Sequence, residues 1–86
     1  MIPLRENLPG YAEALRLGYA LHSYAGNHKS ADYTKDGVYL TVYERGTATL
    51  TLVIGLVRLT IDEFQFPHPR FHVFESAIRK FLPTGD

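Results

Sequence analysis

Between Gly37 and Phe66 the chain alternates apolar and polar side chains in a register that two short turns bring into alignment, and this constrains the fold more than any other feature. Glu44-Arg45-Gly46 reads as a hairpin loop, with glycine supplying the left-handed conformation that its last position needs. Tyr43 then faces Thr47, Val42 pairs with Ala48, Leu40 with Leu50 and Val38 with Leu52. On the other face Thr41 pairs with Thr49 and Tyr39 with Thr51, so every pair matches in polarity. A second loop at Ile54-Gly55 sets Leu52 opposite Val57, Leu50 opposite Leu59 and Ala48 opposite Ile61. A slip of one residue would invert all of these faces. The expected product is a three-stranded antiparallel meander. Its inner face is Val38, Leu40, Val42, Ala48, Leu50, Leu52, Val57, Leu59 and Ile61; its outer face carries Tyr39, Thr41, Tyr43, Thr47, Thr49, Thr51, Arg58, Thr60 and Asp62.

An apolar sheet face needs a cover, and both flanking segments have helical periodicity. The first begins near Pro9 and gathers Tyr11, Ala14, Leu15, Gly18, Leu21, His22 and Ala25 on one side, with Gly18 at the centre admitting a close neighbour and Gly26-Asn27 ending the helix. The second begins near Pro69, aligns Phe71, Phe74, Ala77, Ile78, Phe81 and Leu82, and stops at Pro83; His72, Glu75, Ser76, Arg79 and Lys80 form its solvated side. Phe64 and Phe66 curl over the core edge, with Ile2, Leu4 and Leu8 covering the second hairpin tip, in one reading of that region. The expected architecture is a single α+β domain over residues 1–86, in the order α-β-β-β-α, with both helices packed on one sheet face and the Tyr/Thr face open.

Composition narrows the function. Cysteine is absent, which excludes a disulfide frame and thiolate metal sites and suits a reducing cytoplasm. Met1 to Gly10 carries neither a long apolar run nor a cleavage pattern, and no segment approaches the roughly 20 apolar residues of a membrane span. A cytoplasmic protein without a membrane partner is expected. Lysine plus arginine equals aspartate plus glutamate, nine of each, so no general charge draws the chain to nucleic acid or anionic lipid. The link from Gly26 to Gly37 reads as one long polar loop.

The histidines do not make a metal site on this reading. His68, His72 and Glu75 have helical ligand spacing, but His68 precedes a proline and is pushed toward extended backbone, which leaves a solvated histidine pair beside a helix start. His22 lies on the apolar side of the first helix, where a histidine is a satisfied core or boundary residue more often than a base, and His28 lies in the loop. No nucleophile elbow, phosphate-cradling glycine loop or zinc-hydrolase spacing is present, and the adjacent Asp62 and Glu63 point to opposite faces of a strand. Neither a cofactor nor a catalytic residue is expected.

The order α-β-β-β-α with both helices on one face resembles the double-stranded-RNA-binding domain, over nearly the whole chain. The resemblance implies a nucleic-acid-binding module. That family begins its second helix with phosphate-gripping lysines; here the segment is His68-Pro69-Arg70-Phe71-His72, with Arg70 its sole permanent cation, so no binding residue carries over. The open Tyr/Thr face offers another nucleic-acid mode, by stacking on Tyr39 and Tyr43.

The second hairpin tip, Val53-Ile54-Gly55-Leu56-Val57, is apolar where turns are usually polar. With the turn at Ile54-Gly55, Val53 and Leu56 emerge on the open face beside Tyr39 and Arg58. Aromatic, aliphatic and arginine side chains in that proximity have the composition of an interface hot spot. The expected function is therefore a non-enzymatic protein-interaction domain, an inhibitor, adaptor or accessory factor of the kind bacteria and phages carry, anti-defence inhibitors included. It would bind another protein, or itself as a homodimer, through Tyr39, Tyr43, Val53, Ile54, Leu56 and Arg58.

Overall fold

A computed structural model describes residues 7–81. It shows a small α+β fold with a five-stranded antiparallel sheet and two helices. Helix α1 spans Tyr11–Arg16, and strands β1 (Ala20–Ala25), β2 (Ser30–Lys35), β3 (Val38–Tyr43), β4 (Thr47–Ile54) and β5 (Val57–Gln65) follow before helix α2 (Phe71–Arg79). Sheet order equals chain order, each strand pairing with its sequence neighbour.

The central hairpin has the expected register: Val38 pairs with Leu52, Leu40 with Leu50 and Val42 with Ala48, while Tyr39–Thr51 and Thr41–Thr49 lie on the other face. Gly46 has φ +93, as the Glu44-Arg45-Gly46 loop requires.

Three expectations give way. The long first helix is a short one, because Gly18 at φ +90 leaves helical backbone and its N–H closes on Leu15 O at 3.0 Å. Residues 20–25 then run as β1, and Gly26–His28 form one 3-10 turn between strands instead of a helix end. The polar loop expected over 26–37 is largely β2. It joins β3 through Asp36-Gly37, whose φ values of +50 and +84 are the two left-handed positions of a tight hairpin turn. The meander therefore has five strands and not three, and the α-β-β-β-α order shared with the double-stranded-RNA-binding domain is not the order of this chain.

The third correction is the tip of the β4–β5 hairpin. The two-residue loop is Gly55-Leu56, since Ile54 pairs with Val57 and Val53 with Arg58; glycine at φ +58 takes the first turn position, where the β-branched Ile54 would be strained. Leu52 accordingly opposes Leu59, and Leu50 opposes Ile61. Both offsets move by two residues, so Leu59 and Ile61 stay on the inner side, half-buried, while Val57 lies beyond the core with 57% of its surface exposed. A bulge follows, and Ala48 pairs with Phe64 instead of Ile61. The extra residue reverses the alternation and turns Phe64 inward, to 9% exposure.

Both helices cover the inner face. Gly10 enters α1 at φ +66, so close to the sheet that a Cβ there would lie 2.9 Å from Val42 Cγ1. Tyr33, fully buried on β2, donates its hydroxyl to Pro9 O at 2.5 Å and ties that entry down. Ala14 of α1 and Phe71 and Ile78 of α2 complete a core with Leu40, Leu50, Leu52, Phe64 and Phe66. Phe71 packs against Tyr19, Phe64 and Phe66 with ring centroids 5.6–6.1 Å apart. Leu8 is buried, whereas Ile2, Leu4, Leu82 and Pro83 lie outside the described residues. No helix among the described residues is long and apolar enough to cross a membrane.

Candidate functional site on the open sheet face

Opposite the helices, no element among the described residues covers the sheet. Alternation places Thr34, Asp32, Tyr39, Thr41, Thr49, Thr51, Val53, Arg58 and Thr60 on that side, because their neighbours are pledged to the core. Strand twist and the β1 bulge shape part of this face into a shallow recess of about 410 Å³, lined by His22, Asp32, Tyr39, Thr41, Thr51, Val53 and Arg58.

Asp32 is the organising group. Its carboxylate accepts a hydrogen bond from Thr41 Oγ1 at 2.8 Å and another from Ser23 Oγ at 3.2 Å, one from each neighbouring strand. Ser23 reaches it because β1 shifts register between Leu21 and Ser23; the same irregularity brings His22 onto Tyr39, edge to face, with ring centroids 5.4 Å apart. Along the recess Thr51 and Thr60 hydroxyls lie 3.3 Å apart across the β4–β5 ladder. Val53, 38% exposed, stands directly across from Arg58. The site thus offers an oriented carboxylate, an imidazole, a phenol ring, a guanidinium and several hydroxyls on a rigid surface.

The expected interaction residues divide. Tyr39, Val53 and Arg58 meet in the recess. Leu56 does not oppose Val53 but forms the hairpin turn, its side chain fully exposed. Ile54 ends β4 on the inner side, half-buried against the core. Tyr43 is apart from the others, under the Arg45 guanidinium at 4.4 Å, beside Lys29 and Glu44; Arg45 also pairs with Glu63. His22 and Asp32 were not among the expected site residues. Asp32 could have been found through Asp36-Gly37, a strong hairpin signal flanked by alternating Ala31/Tyr33 and Val38/Leu40. His22 carried no such signal, as its neighbours fit a helical wheel equally well.

A second polar cluster lies at the helix side of the sheet. Tyr19 donates its hydroxyl to Glu75 Oε2 at 2.6 Å, Lys35 Nζ stands 3.9 Å from the same oxygen, and Arg79 reaches Glu75 at 3.8 Å and Lys35 O at 3.2 Å. Burial, then the Glu75 carboxylate, push the Tyr19 phenol well above its ordinary range, with Arg79 opposing them. Glu75 and Arg79, expected on the solvated side of α2, instead lock that helix to the sheet. The groups satisfy one another, which is a structural role. Near the start of α2, His68 Nδ1 accepts the Arg70 N–H at 2.9 Å and its ring packs on Phe64 and Phe74. Among the described residues no three metal-ligating side chains converge.

No protein-family model, curated protein or solved structure matches this chain.

Proposed function

We propose that the protein is a non-enzymatic interaction domain that captures another protein on its open sheet face. The observation that carries this reading is the meeting of Tyr39, Val53 and Arg58 in one recess, with the fully exposed Leu56 at the adjoining hairpin tip. Tyrosine and arginine, the residue types enriched at interface hot spots, supply contact area and directional bonds, Val53 adds apolar surface, and the threonine rows add an edge of hydroxyls. Side chains held by a ladder of neighbouring strands lose little freedom on binding, which favours affinity. An inhibitor, adaptor or accessory factor works this way. The recess has no lysine, and Asp32 offsets Arg58 within it, so a phosphate backbone would find poor electrostatic support there.

The test uses the full chain as bait in lysate of its source cells, beside a Val53→Ser, Leu56→Ser variant. The captured protein is identified by mass spectrometry and its binding repeated with purified components. Neither residue is in the core, so the variant should keep its unfolding free energy within the range of ordinary surface changes, about ±0.5 kcal/mol. Its affinity for the partner should fall tenfold or more. Equal capture by both baits would overturn the reading, as would a partner displaced by changes elsewhere but not by these.

A further inference from the structure

We propose that β5 is a self-pairing edge, and that two copies of this chain join through it in one antiparallel register centred on Thr60. The proposal stands independently of partner capture in the recess.

The outermost strands are β1 and β5, and they differ in what they offer. β1 is interrupted by its register shift between Leu21 and Ser23, a common way of blunting an edge. β5 runs regularly from Val57 to Ile61 before its own bulge. The two-residue turn makes Ile54–Val57 a hydrogen-bonded pair, so Val57, Leu59 and Ile61 direct their backbone groups at β4. Arg58 and Thr60 direct theirs outward, at the free edge, and Asp62 opens the bulge just beyond them. A second β5 can use these groups only if residues of this outward set face one another.

Charge then selects among the registers. A two-fold axis at Arg58 opposes arginine to arginine, and one at Asp62 opposes aspartate to aspartate; each is repulsive. With the axis at Thr60, Arg58 of each copy faces Asp62 of the other, twice, and Thr60 faces Thr60. Both Arg58 and Asp62 are exposed, yet they stand about 13 Å apart along the strand, too far to pair within one chain. Neither has an ion-pair partner among the described residues. On the helix side the same register sets Leu59 against Ile61 reciprocally. Beside them lies an apolar groove of about 220 Å³ between β5 and α2, with Phe81 61% exposed at its rim. A second copy brings the matching apolar rim, and the two sheets become one of ten strands.

Light scattering on the purified wild type should give the mass of a dimer. Arg58→Asp and Asp62→Arg should each give monomers, since every cross-strand pair becomes like-charged. Mixed in equal amounts, the two variants should form a heterodimer, because the chain with an acid at both positions then meets the chain with a base at both. Thr60→Pro, which removes the central outward N–H while sparing the β4 ladder, should also be monomeric and folded by circular dichroism. A monomeric wild type at every soluble concentration would overturn the proposal. So would a dimer that survives the charge reversals, or variants that fail to pair when mixed.

Discussion

Two glycines show how differently the same residue type is used. Gly10 is held at φ +66 with the Val42 and Phe66 side chains where a Cβ would go, at 2.9 and 3.0 Å. Gly18 is held at φ +90, but a Cβ there would meet only the flexible Lys35 side chain, at 3.4 Å or more. Both lose the left-handed freedom of glycine on substitution, at about 1 kcal/mol. Gly10→Ala adds overpacking against buried neighbours, about 1–3 kcal/mol more. Urea unfolding should therefore rank Gly10→Ala well below Gly18→Ala, and equal losses would contradict this account of the α1 entry. The close-approach role expected of Gly18 belongs to Gly10. Tyr33 makes a second residue-scale prediction. Burial first, then the neighbouring Tyr11 and Glu13, push its phenol up to about 12. A raised folded pKa means that Tyr33 contributes its full stability below the ordinary tyrosine value near 10 and loses it as pH rises through 10 toward 12. Tyr33→Phe should be less stable at neutral pH, for want of the bond to Pro9 O, and should lose less on alkaline titration. An identical alkaline slope would refute the assignment.

Among the elements, β5 shows the power of one inserted residue. The bulge between Ile61 and Phe64 decides whether Phe64 faces the core or the open side. Inserting an alanine after Glu63 should carry Phe64 one place past its inward position opposite Ala48 and turn the ring outward, at a cost near that of truncating a buried phenylalanine, about 3–5 kcal/mol. Glu63→Ala keeps the bulge and loses only an exposed pair with Arg45, worth at most about 1 kcal/mol. If both variants melt alike, the bulge does not place Phe64. This element also marks how far the sequence could be read. The β3–β4 register was legible because all its pairs had matching polarity and a glycine in the loop. β5 was legible in its faces but not its pairing, since moving the turn by one residue changes the offset by two and leaves every face as it was. The β1–β2 hairpin was hidden. Tyr11 to Ala25 has an apolar stripe at helical spacing, and the positive φ of Gly18 that breaks it is a backbone property no side-chain pattern reveals. The recess inherits this gap: Tyr39, Val53 and Arg58 came from readable strands, His22 and Asp32 from the unread hairpin.

For the whole molecule, charge balance makes a statement about binding. Formal charge is zero, and the recess holds one aspartate and one arginine. Partner binding there should change only a few-fold between about 50 and 200 mM salt, where a protein making six to ten phosphate contacts would lose about 10³–10⁵ in affinity. A steep salt slope would favour nucleic acid over protein as the ligand. The order of the sheet has a kinetic consequence as well. Since every strand lies beside its predecessor, the whole sheet can zip up through short closures, one hairpin after another, without waiting for distant segments to find each other. The docking of α2, with its Tyr19–Glu75 bond, joins segments 56 residues apart. Docking should thus come late: Ile78→Val ought to accelerate unfolding and leave the folding arm of a chevron nearly unmoved, whereas Leu50→Ala should slow folding. The chain would assemble as a ribbon folded back on itself, and be latched at the end.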